Sequence, residues 1–239
     1  MLYTFYVRFR GDCVIPYLDA YIAIIGDIRN SKKIKNREDV QLKLKNTLQN
    51  INNKYQQDIA SKFTITLGDE FQGLLINGKN VMAIITEIER KMYPAKIRFG
   101  IGIGDIITDI NPELSIGADG PAYYKARQAI DFLRQNERKK QAGKTDIRVE
   151  IDDGDNICIE LINTVISLMA VIRNSWTDRQ REAIWDMLEY NDTQSNAAKR
   201  LGIEQSSFQK RLDSGNYYTY REALYTVEKI LSKIRRYNV

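Results

Sequence analysis

The stretch Tyr21-Ile22-Ala23-Ile24-Ile25-Gly26-Asp27 is a short apolar run closed by a glycine and a carboxylate, the pattern of a buried strand that delivers Asp27 to a turn. The elements after it follow in an order that few folds accommodate. Across residues 37–57, Val40, Leu42, Leu44, Leu48, Ile51 and Tyr55 recur among polar residues, which predicts an amphipathic helix. Residues 62–67 alternate and residues 71–76 are again apolar, with Gly68, Asp69 and Glu70 between them, so a hairpin with an acidic tip is expected. Val81, Ile84, Ile85, Ile88 and Met92 step by three and four along a second helix, which Pro94 closes. Residues 97–103 read as another strand, 116–121 as a glycine-rich turn, 122–138 as a helix and 147–151 as a last short strand.

Strand, helix, hairpin, helix, strand is the order of a ferredoxin-like core, β-α-β-β-α-β, here extended by one helix and one strand. The expected class is α+β, with the helices on one face of the sheet. In that arrangement the first strand is central and neighbours the strand that follows the first helix, which brings Asp27 and the tip residues Asp69 and Glu70 to one edge. Such carboxylates suit Mg²⁺ or Mn²⁺, hard ions that take one or two carboxylates, keep waters and bridge to phosphates. Two ions would activate an attacking oxygen and steady a leaving pyrophosphate. Arg29, Asn30, Ser31, Lys32 and Lys33 follow Asp27 directly, so a turn there would offer N–H groups and cationic side chains to a nucleoside triphosphate. Taken singly, Gly-Asp and Gly-Asp-Glu are ordinary turn residues; their meeting at two strand ends favours the functional reading. The turn at 116–121 opens a helix carrying Lys125 and Arg127, a helix start of the kind that binds anions, while Arg134 and Arg138 read as its solvated face.

The absence of histidine excludes Ser-His and Cys-His nucleophile pairs, imidazole bases and His-ligated zinc. Cys13 and Cys158 lie far apart and form no CxxC pair, so neither a disulfide framework nor structural zinc is expected and a cytoplasmic setting fits. The apolar run at 157–172 is broken by Glu160 and Asn163 and falls short of the roughly 20 residues of a bilayer span, so no membrane partner is expected. Arg8 and Arg10 follow the first apolar residues, the wrong order for a secretory signal. A formal charge of +5 is a weak pointer to an anionic partner.

Four spans result: a poorly defined extension at 1–20, an α+β domain at 21–152, an apolar connecting helix at 153–175 and an all-α domain at 176–239. Within the last, Ala197 and Ala198, then Leu201, Gly202 and Ile203, have the spacing of a helix-turn-helix: alanine for close helix approach and glycine for the turn. It resembles the DNA-binding helices of sigma factors and related regulators. The second helix would display Gln205, Ser206, Gln209, Lys210 and Arg211 to duplex DNA, with Lys199 and Arg200 beside it. A three-helix module that binds another protein is the alternative.

The sequences YIAIIGDIRNS, FTITLGDEFQGLL, RFGIGIGDI and IGADGPAYYKARQAI resemble the SatD family of bacterial proteins across roughly residues 21–150. That family is similar to class III nucleotide cyclases and, more distantly, to diguanylate cyclases, whose palm-like cores hold two metals between an Asp on the first strand and an acidic hairpin. The resemblance implies that Asp27 and Asp69 match the two metal ligands and Arg127 the arginine that steadies the phosphates. It also implies a homodimer, because cyclase-like sites are completed across two subunits. Ile65 stands where cyclases carry a base-reading lysine, Tyr123 where they carry a catalytic asparagine, and Leu67 replaces the first glycine of the diguanylate cyclase motif. These departures favour binding over cyclisation. The expectation is a DNA-binding regulator whose cyclase-like domain binds Mg-nucleotide; an active nucleotidyl cyclase or nucleotidyltransferase, and an idle dimerisation scaffold, are the alternatives.

Overall fold

The computed structural model describes residues 18–31, 36–139, 145–152 and 157–237. The expectations for Lys32 and Lys33, and for 1–17, lie outside these residues. The elements are β1 (Tyr21–Ile28), α1 (Arg37–Lys54), β2 (Ile59–Leu67), β3 (Glu70–Leu75), α2 (Val81–Met92), β4 (Ile97–Gly104), α3 (Pro121–Arg138), β5 (Ile147–Ile151), α4 (Ile157–Ser175), α5 (Asp178–Tyr190), α6 (Gln194–Arg200), α7 (Gln205–Ser214) and α8 (Tyr217–Leu231).

The five strands form one mixed sheet in the order β2-β3-β1-β4-β5, with β4 and β5 parallel and the other neighbours antiparallel. The first strand is central, as expected, but its hairpin-side neighbour is β3 and not β2. The physical reason lies in the turn: Gly68, at φ +57°, and Asp69 fold the chain back so that β3 fills the gap between β1 and β2. Glu70 therefore belongs to a strand, directly opposite Asp27.

Every residue of β1 after Tyr21 is buried, because both sheet faces are covered. Side chains alternate between faces. Ile22 and Ile24 join Leu44, Leu48, Ile84 and Ile88 of α1 and α2 in the main core. Ala23 and Ile25 pack with Ala122, Tyr123, Ala126 and Ile130 of α3 in a smaller core on the opposite face. The expectation that all helices share one face is thus corrected, and β4 explains why. A Cβ at Gly102 would lie 2.0 Å from the Ala122 carbonyl oxygen, and one at Gly100 would lie 2.2 Å from that of Ala126. The glycines of RFGIGIG clear one face of the strand, and the α3 backbone lies on it.

The helices after β5 share the main core: Trp176, Ala183, Ala197, Phe208, Leu212 and Leu231 are buried in the same cluster as the sheet residues. α4 packs on β5 and α8. By length and composition α4 could cross a bilayer, which the sequence reading did not expect, yet Ile159, Ile162, Ile166 and Met169 on its inner side are core residues. Cys158 is disulfide-bonded, with its partner outside the described residues. The expectation that Cys158 takes part in no disulfide is thus corrected.

Candidate nucleotide-phosphate site

Period-two alternation places Asp27 on the α3 face of the sheet, in line with Ala23 and Ile25, and Glu70 beside it on β3. Both carboxylates are buried, at 5 % and 6 % exposure. Isolated charges at that depth are costly, so partners are required. Arginines supply them from both sides. From β4, Arg98 Nη1 donates to Asp27 Oδ2 at 2.5 Å. From α3, Arg127 clasps Glu70 with a two-pronged fork at 2.6 and 2.7 Å. Arg134 lies between them, its Nε 3.2 Å from Asp27 and its Nη2 3.4 Å from Glu70. Both α3 arginines are seven residues apart and so fall on one helix face.

A second ring of charge continues outward. Glu137 accepts from Arg29 and Arg98, and Asp146 accepts from Arg29. Four carboxylates and four guanidinium groups thus interlock, Asp27, Glu70, Glu137 and Asp146 with Arg29, Arg98, Arg127 and Arg134, and Asp131 also reaches Arg134 at 3.6 Å. Burial alone would raise the pKa of Glu137, but the hydrogen bonds and charges of Arg98 and Arg29 outweigh it and hold the carboxyl below its ordinary value. The hydrogen bond to Glu70 raises the pKa of Arg127.

The expected site residues divide. Asp27, Glu70 and Arg127 come together. Asp69 stays at the rim, where its carboxylate accepts a hydrogen bond from Ser31 and its carbonyl accepts from the Ile28 N–H at 3.0 Å. Asn30 is exposed in the left-handed conformation at φ +53°, and Arg29 is committed to Asp146 and Glu137. Lys125 does not join: two positions before Arg127, it sits about 200° around the helix. Arg134, read as solvated, belongs to the site instead. Arg98, Glu137 and Asp146 were missed outright, although Arg98 shares strand parity with Gly100 and Gly102, a signal for the α3 face.

Mg²⁺ needs only one or two carboxylates, with water and phosphate completing its shell. The register-paired Asp27 and Glu70 fit that donor set. Among the described residues no three acidic groups are placed to hold a metal.

The residues expected to face DNA lie on α6 and α7. Thr193 caps α6 by accepting from the Asn196 N–H, and Gly202, at φ +63°, makes the turn into α7. Ala197, Ala198, Phe208 and Leu212 are buried where the helices meet. Lys199, Gln205, Ser206, Gln209 and Lys210 are exposed. Arg200 is engaged otherwise: it pairs with Asp186 and Asp192 and lies 4.2 Å over the Tyr190 ring. Arg211 reaches Glu182 at 3.4 Å.

Three solved structures are similar to parts of this chain. The catalytic core of a rhodopsin-guanylyl cyclase with converted specificity, in complex with ATPαS, matches 47% of this chain and 72% of its own at 16% identity, with a TM-score of 0.35. A bacterial light-regulated adenylyl cyclase matches 68% of this chain and 83% of its own at 14% identity, with a TM-score of 0.42. A regulator of polyketide synthase expression from Bifidobacterium adolescentis matches 88% of this chain and 86% of its own at 11% identity, with a TM-score of 0.26. No curated protein matches the chain. The model of the SatD family matches residues 21–230, from the first residue of β1 almost to the end of α8, and the chain therefore belongs to the SatD family.

Proposed function

We propose that this protein is a regulator that takes up a nucleotide with its Mg²⁺ at the carboxylate–arginine cluster and meets duplex DNA through α7. The observation that carries the reading is the buried Asp27–Glu70 pair under Arg127 and Arg134. Phosphate and carboxylate oxygens fit the same guanidinium fork. A nucleotide phosphate can therefore take Arg127 and Arg134 in exchange for the carboxylates. Asp27 and Glu70 would hold the Mg²⁺, whose charge offsets that of the phosphates. Ser31 and Asn30 lie on the rim beside the entering group. Binding without cyclisation is favoured because Ile65 and Tyr123 replace the base-reading and catalytic side chains of cyclases, and Tyr123 is packed in the small core.

The α6–α7 pair supports a helix-turn-helix reading, with Gln205, Ser206 and Gln209 suited to base edges and Lys199 and Lys210 to phosphates. A second copy is proposed along α4, whose outer side exposes Ile157, Leu161, Leu168 and Val171 at steps of four, seven and three residues, the spacing of a self-pairing seam. Light scattering should give twice the monomer mass for the full chain and the monomer mass for Leu168→Glu. The regulator reading is tested by gel retardation of duplex DNA by the full chain, with and without Mg-nucleotide. A nucleotide-dependent change in retardation is expected; identical retardation under both conditions contradicts it.

A further inference from the structure

A cleft of about 760 Å³ lies away from the cluster, between α1 and α2 on one side and α5 and α8 on the other. Its wall is aromatic: Tyr55, Trp185, Tyr217, Tyr218 and Tyr225 line it. The Tyr217 hydroxyl, on a residue 1% exposed, has no hydrogen-bond partner there. A buried hydroxyl left unpaired is costly.

The charges in the cleft do not cancel. Lys54 is 2.7 Å from Glu87, which also accepts from the Tyr55 hydroxyl, and Arg90 pairs with Glu189. Those four groups neutralise one another. Glu222 and Glu228 of α8 also line the cleft and form no ion pair among the described residues, while Arg221 lies 5.4 Å from the Tyr217 ring centroid. The six-residue step from Glu222 to Glu228 corresponds to about 9 Å of helix axis. Burial pushes the Glu228 carboxyl pKa up.

We propose that this cleft binds an aliphatic polyamine, with ammonium groups at Glu222 and Glu228, its alkyl spacer against the tyrosines, and the Tyr217 hydroxyl accepting from an ammonium. Aromatic faces attract ammonium ions, and two separated carboxylates select a ligand with two separated charges. This inference is independent of the nucleotide reading.

The test uses the full-length chain and spermidine, read by tryptophan fluorescence, because Trp185 lines the cleft and Trp176 is buried elsewhere in the core. Saturable quenching is expected, lost in Trp185→Phe. Glu228→Gln, which keeps the shape of the side chain, and the exposed Glu222→Gln should each weaken binding on the order of tenfold. Glu113→Gln, remote from the cleft, and Asp27→Asn should leave it unchanged. Absence of saturation at millimolar spermidine overturns the assignment, as does equal weakening by Glu113→Gln, which would mark diffuse attraction to surface charge.

Discussion

Arg29 and Asp146, 117 residues apart, are joined by a hydrogen-bonded ion pair, and the second carboxylate oxygen of Asp146 accepts from Arg173 at 3.4 Å. Arg173 is itself buried and pairs with Glu89 of α2. One carboxylate thus ties the Asp27–Glu70 cluster to the junction of α4 with α2. Asp146→Asn keeps the shape and removes the charge that both arginines share. Removing one partner of a buried pair costs roughly 3 to 5 kcal/mol. Urea unfolding should show a midpoint lowered accordingly, and an unchanged midpoint would refute the shared role of Asp146.

Gly102 should be intolerant of a methyl group. The Cβ of Gly102→Ala would meet the Ala122 carbonyl, which cannot yield unless α3 moves. Overpacking of this kind costs about 1 to 3 kcal/mol. Because α3 also carries Arg127 and Arg134, thermal stability and nucleotide affinity should fall together in this variant. A loss of stability with affinity intact would show that the seat of α3 does not set the site.

Much of the fold was legible because the elements advertise themselves by period. The steps from Val81 to Met92 and the apolar run from Tyr21 gave their elements directly. What escaped was determined by long-range placement. Nothing local says that β3, and not β2, lies beside β1, and that choice makes Glu70 the partner of Asp27. Arg134 looked solvated because helical periodicity shows which residues share a face, not which carboxylates that face will meet. Arg98, Glu137 and Asp146 acquire their meaning only from partners far along the chain. Arg200 sits in a basic stretch of sequence, yet in space it faces Asp186 and Asp192.

The cluster sets an acid limit. Glu137 has a native pKa below its ordinary value of 4.5, so its contribution to stability is fully present above that pH and is lost as the pH falls through the native value. Unfolding free energy measured from pH 7 downward should therefore decline less steeply below pH 4.5 for Glu137→Gln than for the wild type. Parallel profiles would remove Glu137 from the acid response.

Lys210 and Arg200 should separate in DNA binding. Exposed Lys210 is available to phosphate, so Lys210→Ala should lower affinity for all duplexes and reduce the salt slope by about 0.9. Arg200 is held by two aspartates, so Arg200→Ala should leave the slope unchanged and lower the melting temperature. A slope lost with Arg200 and kept with Lys210 would reverse the assignment of the DNA-facing side.

The central claim is that the Asp27–Glu70 pair and its arginines form a nucleotide-phosphate site. Isothermal titration of the full-length chain with nucleoside triphosphates tests it directly, with and without Mg²⁺ and alongside Arg127→Ala and Asp27→Asn. The account predicts saturable binding of at least one triphosphate, loss of that binding in folded Arg127→Ala, and an affinity in Asp27→Asn that no longer responds to Mg²⁺. Binding that is absent from the wild type, or identical in all three proteins, would contradict it.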